Sequence, residues 1–242
     1  NNITNRTKWL MLNSPSNPTG AVYSFNELKA LSEVLLKYPN VLVLTDDIYE
    51  KIIYDDGVFS TIASVEPKMK ERTLTLNGVS KAYCMTGWRL GYCGGPREII
   101  AGMNKIQSQS TTSTSSISMA ASVEALSGDQ EFINLHNIQF KKRRDMVVEN
   151  LNQIDGINCS IPPGAFYVYP SCEGIIGKKT SAGNTINTDE DFMNFLLESE
   201  GMAGVHGEAF GLSPYFRLSY ATDEKTLADA CNRIERACNN LK

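Results

Sequence analysis

Three short apolar runs constrain this chain most: Trp9-Leu10-Met11-Leu12, Val41-Leu42-Val43-Leu44 and Thr73-Leu74-Thr75-Leu76. The first two are apolar at consecutive positions rather than alternate ones, the pattern of strands covered on both faces. Between them, Ser24-Phe25-Asn26-Glu27 forms a capping box that opens a helix. That helix carries Leu28, Leu31, Val34, Leu35 and Tyr38 on its apolar side and is expected to stop at Pro39. Buried strands separated by a helix predict an α/β fold, a mainly parallel sheet with helices on both faces.

The pattern changes further along. Helices are predicted near 117–126 and from about 132 to 151. After Asp155-Gly156, short strands are expected at Phe166–Tyr169, Met202–Val205 and Tyr215–Tyr220, accompanied by helices at about 189–200 and 224–241. The last helix has Leu227, Cys231, Ile234, Cys238 and Leu241 at helical spacing, with Asp223 and Glu224 where a helix N-terminus favours negative charge. A boundary near residue 150 is predicted, between the remainder of a large domain (1–150) and a smaller α+β domain (151–242).

Composition narrows the class of partner. The 242 residues carry a net charge of −4 without any basic run, which favours small molecules over nucleic acid. No apolar stretch nears the roughly 20 residues that span a bilayer, so no membrane partner is expected. The opening Asn1-Asn2-Ile3-Thr4-Asn5 is polar, lacks a signal-peptide pattern and does not start with methionine, so a fragment is expected. The 6 cysteines form no Cys-x-x-Cys pair, which argues against a zinc or thioredoxin-like site and for a reducing cytoplasm. With only 2 histidines, His136 and His206, neither a Ser-His-Asp triad nor a multi-histidine metal site is expected, and no metal is assigned.

Ligands of open α/β sheets bind outside the carboxyl ends of the strands. Each apolar run here leads directly into unusual polar residues. The first is followed by Asn13-Ser14-Pro15-Ser16-Asn17-Pro18-Thr19-Gly20, the second by Thr45-Asp46-Asp47-Ile48-Tyr49, the third by Asn77-Gly78-Val79-Ser80-Lys81. Taken singly, these have ordinary readings. Asn-Pro-Thr-Gly makes a good turn, Asp46-Asp47 an N-cap or solvated loop, and a lone lysine a surface charge. Their joint occurrence in this order is the strong signal. A lysine held near an anion-binding arginine is what Schiff-base chemistry on a phosphorylated aldehyde needs, and Arg89 follows in Thr86-Gly87-Trp88-Arg89-Leu90-Gly91.

Asn17-Pro18-Thr19-Gly20, Asp46-Asp47-Ile48-Tyr49, Ser80-Lys81, Gly87-Trp88-Arg89-Leu90-Gly91 and Arg217-Leu218-Ser219-Tyr220 together resemble the fold-type I pyridoxal-phosphate enzymes. The nearest resemblance is to class I aminotransferases of the bacterial-type aspartate subgroup, and it runs through essentially the whole chain. It implies pyridoxal 5′-phosphate as cofactor and Lys81 as the residue that forms a Schiff base with its aldehyde. By the same resemblance, Asp46 pairs with the pyridine nitrogen, Tyr49 and Asn17 hydrogen-bond the ring 3′-oxygen, Arg89 holds the phosphate, and Arg217 grips the substrate α-carboxylate. Ser80, beside the lysine, is a further cofactor contact, and the Asn17–Pro18 peptide is expected to be cis. Many relatives carry a phosphate-binding serine where this chain has Gly78.

The activity implied is transamination between an amino acid, aspartate foremost, and a 2-oxo acid such as 2-oxoglutarate, in a homodimer. Prephenate or aromatic 2-oxo acids are alternative acceptors, and a lyase on the same scaffold is an alternative reaction. The family's N-terminal portion supplies a phosphate loop, a ring-stacking aromatic, dimer contacts and side-chain specificity, and it precedes the segment present. The 242 residues alone are therefore expected to bind cofactor weakly or not at all, and a catalytically silent fragment is the reading from outside the enzyme class.

Overall fold

The computed structural model describes residues 2–242. The chain divides into two compact units. One comprises the described residues up to Ser16 with Ala21–Leu135, and the other joins the turn Asn17–Gly20 to His136–Lys242.

The first unit is built on a four-stranded sheet of order β1-β2-β3-β4: β1 (Trp9–Asn13), β2 (Leu42–Asp46), β3 (Thr73–Gly78) and β4 (Gly91–Gly94). The first three strands are parallel and β4 is antiparallel to β3. Helix α1 (Phe25–Leu35) connects β1 to β2. Its capping box forms as the sequence predicts: the Ser24 side chain accepts from the Glu27 amide while the Glu27 carboxylate accepts from the Ser24 amide at 2.8 Å. The helix ends at Leu35, earlier than Pro39. A residue preceding proline is pushed out of the αR region, so the chain leaves the helix before Tyr38. Val34 and Tyr38 are exposed, and burial falls on Leu28 and Leu35.

Those two leucines enter a core with Leu12, Val41, Val43, Ile62, Val65 and Met69. Ile62 and Val65 come from the one-turn helix α2 (Ile62–Val65). Further along are α3 (Arg97–Gln109), α4 (Ser116–Ser127) and α5 (Glu131–Asn152), and the border between the units falls within α5. The sequence reading missed β4 and α3. β4 is only Gly-Tyr-Cys-Gly, with glycines that carry no strand propensity. α3 buries no residue, and its Met103 and Ile106 stand exposed, as do Ile117 and Val123 of α4.

The second unit contains a three-stranded antiparallel sheet of order β5-β7-β6: β5 (Tyr167–Val168), β6 (Val205–His206) and β7 (Phe216–Ser219). Helices α6 (Asp189–Glu200) and α7 (Glu224–Asn239) pack on each other, α6 opened by a Thr188/Asp191 capping box and α7 by Asp223. Leu227, Cys231, Ile234 and Cys238 are buried along α7, as their spacing predicts, and Leu241 falls beyond the end of the helix. Among the described residues, no helix is long and apolar enough to cross a membrane.

Leu35 is 1% exposed within the first core. Leu35→Ala is expected to cost about 2–5 kcal/mol by leaving a cavity. Urea denaturation should show a lower midpoint at an unchanged slope.

Candidate active site

Registered parallel pairing places the ends of β1, β2 and β3 along one edge of the first sheet. Asn13 pairs with Asp46, and Asp46 with Leu76. The Asn13 side-chain amide donates to the Asp46 carbonyl at 2.9 Å, tying the β1 and β2 ends together. Asp46 Oδ1 accepts from the Ile48 amide at 3.2 Å, an Asx-type turn that fixes the carboxylate at the strand end. Tyr49 follows on the same turn with its ring 4% exposed. Lys81, reached from β3 through Val79 and Ser80, brings its ammonium to 5.8 Å from the Tyr49 ring centroid. Asp46, Tyr49, Ser80 and Lys81 thus all follow directly from the carboxyl ends of adjacent parallel strands.

Arg89 belongs to the same unit, in the turn before β4. Its backbone is left-handed (φ 50°), its side chain is exposed, and its guanidinium donates to the Thr86 carbonyl at 2.7 Å. Gly78 sits where β4 approaches β3: a Cβ there would meet the Leu90 carbonyl oxygen at 3.1 Å.

The remaining sequence-predicted residues meet in the second unit. Arg217 sits on β7, the central strand, opposite Val205. Its Nη1 donates to Asn17 Oδ1 at 2.7 Å. The guanidinium carbon lies 4.9 Å from the Tyr167 ring centroid and 5.1 Å from that of Phe210, between two aromatic faces that favour a cation. The Asn17–Pro18 peptide is cis, as are Ser14–Pro15 and Ser213–Pro214. Sequence reasoning assigned no role to Phe210 or Tyr167. Phe210 ends a single 3-10 turn (Gly207–Phe210), too short to carry an apolar spacing, so no periodicity marks it.

Asp47 is a further charged group at the strand end, 2% exposed, which accepts from the Thr45 hydroxyl at 2.6 Å. Burial pushes its carboxyl up to about 6, with Glu50 and Asp46 adding to the rise.

A strand-end lysine beside a buried phenol and a turn-fixed carboxylate is the equipment of carbonyl–amine chemistry, and an arginine in an aromatic slot suits a carboxylate. The model of the family "Aminotransferase class I and II" matches residues 1–234, and the chain belongs to that family. It is 58% identical over 240 residues to a probable aspartate/prephenate aminotransferase of Rhizobium leguminosarum bv. phaseoli, covering 99% of this chain and 60% of that protein. It is 56% identical to the aspartate aminotransferase of Rhizobium meliloti (strain 1021), covering 99% of this chain and 58% of that protein. Among solved structures it matches an aspartate aminotransferase from Rhizobium meliloti at a TM-score of 0.97 and 55% identity, covering 99% of this chain and 60% of that one. An aspartate aminotransferase of Thermus thermophilus with maleate matches at a TM-score of 0.85 and 38% identity, covering 97% and 58%. The chain thus spans about 60% of the length of these curated relatives.

Asp47 gives this strand end a pH signature. Its folded-state pKa of about 6 exceeds the ordinary 3.8, so the native state binds more protons between these values and stability falls as pH rises through the window. Asp47→Asn removes that loss. The variant should gain on the parent by about 3 kcal/mol between pH 3.5 and pH 7.5, from roughly two pKa units at 1.36 kcal/mol each. Urea titrations of both proteins across that range would give a flat difference if Asp47 were not the cause.

Proposed function

We propose that this chain is the cofactor-lysine segment and C-terminal domain of a pyridoxal-phosphate-dependent aminotransferase, acting on aspartate with 2-oxoglutarate as acceptor. Residues 1–150 belong in this reading to the large cofactor-binding domain and 151–242 to the small one. The observation that carries the proposal is the grouping of Lys81, Asp46 and Tyr49 at neighbouring parallel strand ends. The donor set fits the cofactor. Asp46 Oδ1 is engaged only by its own turn, and Oδ2 has no hydrogen-bond partner among the described residues, which leaves it for a ring N–H. Pyridoxal phosphate, when bound, supplies an aldehyde that condenses with amines and a ring that takes up electron density from the substrate's α-carbon.

The chain's own residues supply the rest. Lys81 Nζ would be the nucleophile that holds the cofactor aldehyde, and its amine would carry the proton between the substrate α-carbon and the cofactor C4′. Asp46 keeps the ring nitrogen protonated. Tyr49 orients the ring through its 3′-oxygen, and Ser80 and Arg89 contribute to the phosphate site. Arg217, steadied by Asn17 and two aromatic faces, grips the substrate α-carboxylate with a planar fork that lysine cannot copy. A relative named for both aspartate and prephenate supports prephenate as a second acceptor. A homodimer in a reducing cytoplasm accompanies this reading. The exposed Met11, Ile106, Ile117 and Val123 favour a second reading for the 242 residues expressed alone: a silent segment that self-associates through apolar surface.

Borohydride reduction of the full-length protein with pyridoxal phosphate, followed by peptide mapping, should label Lys81, and Lys81→Ala should lose that label. The variant's turnover should fall by at least about 10²-fold. No Lys81-specific label in the full-length protein would overturn the proposal. Arg217→Lys should raise the KM for aspartate by about 10- to 100-fold, because a bidentate charged contact worth about 1.5–3 kcal/mol is lost. An unchanged KM would remove Arg217 from the substrate site.

A further inference from the structure

Asp189, the first residue of α6, is fully buried. Its Oδ2 accepts from the backbone amides of Glu208 and Tyr215, each at 3.2 Å, and its Oδ1 has no partner among the described residues. A carboxylate in such a place is costly, and the two amides together with the N-terminal end of α6 offset that cost. The two amides it ties are the two ends of a single surface loop.

Tyr169 of the same unit holds that loop from another side. Its hydroxyl faces the carbonyls of Gly207 at 3.2 Å and Leu212 at 3.0 Å, and shares its one proton between them. Its ring stacks on Tyr215 at 5.2 Å and meets Phe210 edge-on at 6.1 Å. Burial, with the charge of Asp189 next in importance, pushes the Tyr169 hydroxyl up to about 12, so it stays a donor at any working pH. The loop also closes on itself. The Gly207 amide donates to the Tyr215 carbonyl at 2.7 Å, and a Cβ on Gly207 would overlap the Leu212 carbonyl oxygen. Between these ties the loop carries Phe210, one wall of the Arg217 slot, and from Tyr215 it runs into β7 and Arg217 itself.

We infer that Asp189 is a positioning residue for Arg217, acting with Tyr169 to clamp both ends of the 207–215 loop, so that Phe210 and β7 hold the guanidinium in one orientation. The inference rests on the reading of Arg217 as the carboxylate clamp. Rigid presentation lowers the ordering cost of binding, so the clamp should show in ligand affinity rather than in chemistry.

The test is the dissociation constant of maleate, a dicarboxylate read without turnover, measured by calorimetry on the full-length protein loaded with pyridoxal phosphate. Thermal melts should accompany each variant. Asp189→Ala should weaken maleate about 10-fold while cofactor absorbance is unchanged, and Asp189→Asn, which keeps a carbonyl oxygen for both amides, should recover to within about threefold of the parent. A purely structural role would lower the melting temperature and leave the maleate affinity of the folded protein unaltered. A folded Asp189→Ala with maleate affinity within twofold of the parent would therefore overturn the inference, as would an Asp189→Asn that recovers nothing. Should Asp189→Ala fail to fold, Tyr169→Phe decides: several-fold weaker maleate supports the clamp, and unchanged affinity overturns it. Arg217→Ala separates the two levels. If it binds maleate as the parent does, the reading of Arg217 falls and this inference with it. If it weakens maleate and Asp189→Ala does not, only the inference about Asp189 falls.

Discussion

The registered pairing of β1, β2 and β3 is the constraint on which the rest of the first unit depends. A parallel ladder forces every strand to finish on the same edge, so polar residues that are far apart in sequence arrive side by side. A slip of one residue would flip the alternation of faces and send Leu12 and Val43 out of the core they share with α1. Burial of those side chains therefore fixes the register, and the register fixes where Asp46 and Lys81 begin. The core and the candidate site are two consequences of the same hydrogen-bond ladder.

The second unit solves a different problem. Arg217 is a long, flexible cation on a four-residue strand, and nothing in the strand alone directs its head group. Direction comes from outside: Asn17 Oδ1 at 2.7 Å on one side, and the rings of Tyr167 and Phe210 on others. Each unit also buries a carboxylate. Asp47 is held by the Thr45 hydroxyl and Asp189 by two backbone amides. Buried charge of this kind weakens a fold unless it secures a geometry, and both carboxylates sit where a turn or loop must keep one shape.

Legibility differed from element to element for physical reasons. β1, β2 and the start of β3 announce themselves by continuous apolar runs, although in β1 only Leu12 is buried, while Trp9 and Met11 stand exposed on the opposite face. The α1 capping box and the apolar stripe of α7 are equally local signals. α3 carries an apolar stripe at Ile99, Ile100, Met103 and Ile106 that a reading for helical spacing could have found, although it buries no residue in this chain. β4 was hidden because its stability comes from pairing with β3, at Thr75↔Gly94 through Gly78↔Gly91, and not from its own residues.

The sequence by itself determined the strand runs, their polar termini and the candidate residues Asn17, Asp46, Tyr49, Ser80, Lys81, Arg89 and Arg217, because each is written in local composition or in a family motif. Tertiary structure alone decided which of these meet. It joined Asn17 to Arg217 across two hundred positions, set Phe210 and Tyr167 on the guanidinium, and placed Asp189 against the amides of a distant loop. Such contacts follow from the packing of separate elements, and no periodicity along the chain encodes a distance between elements.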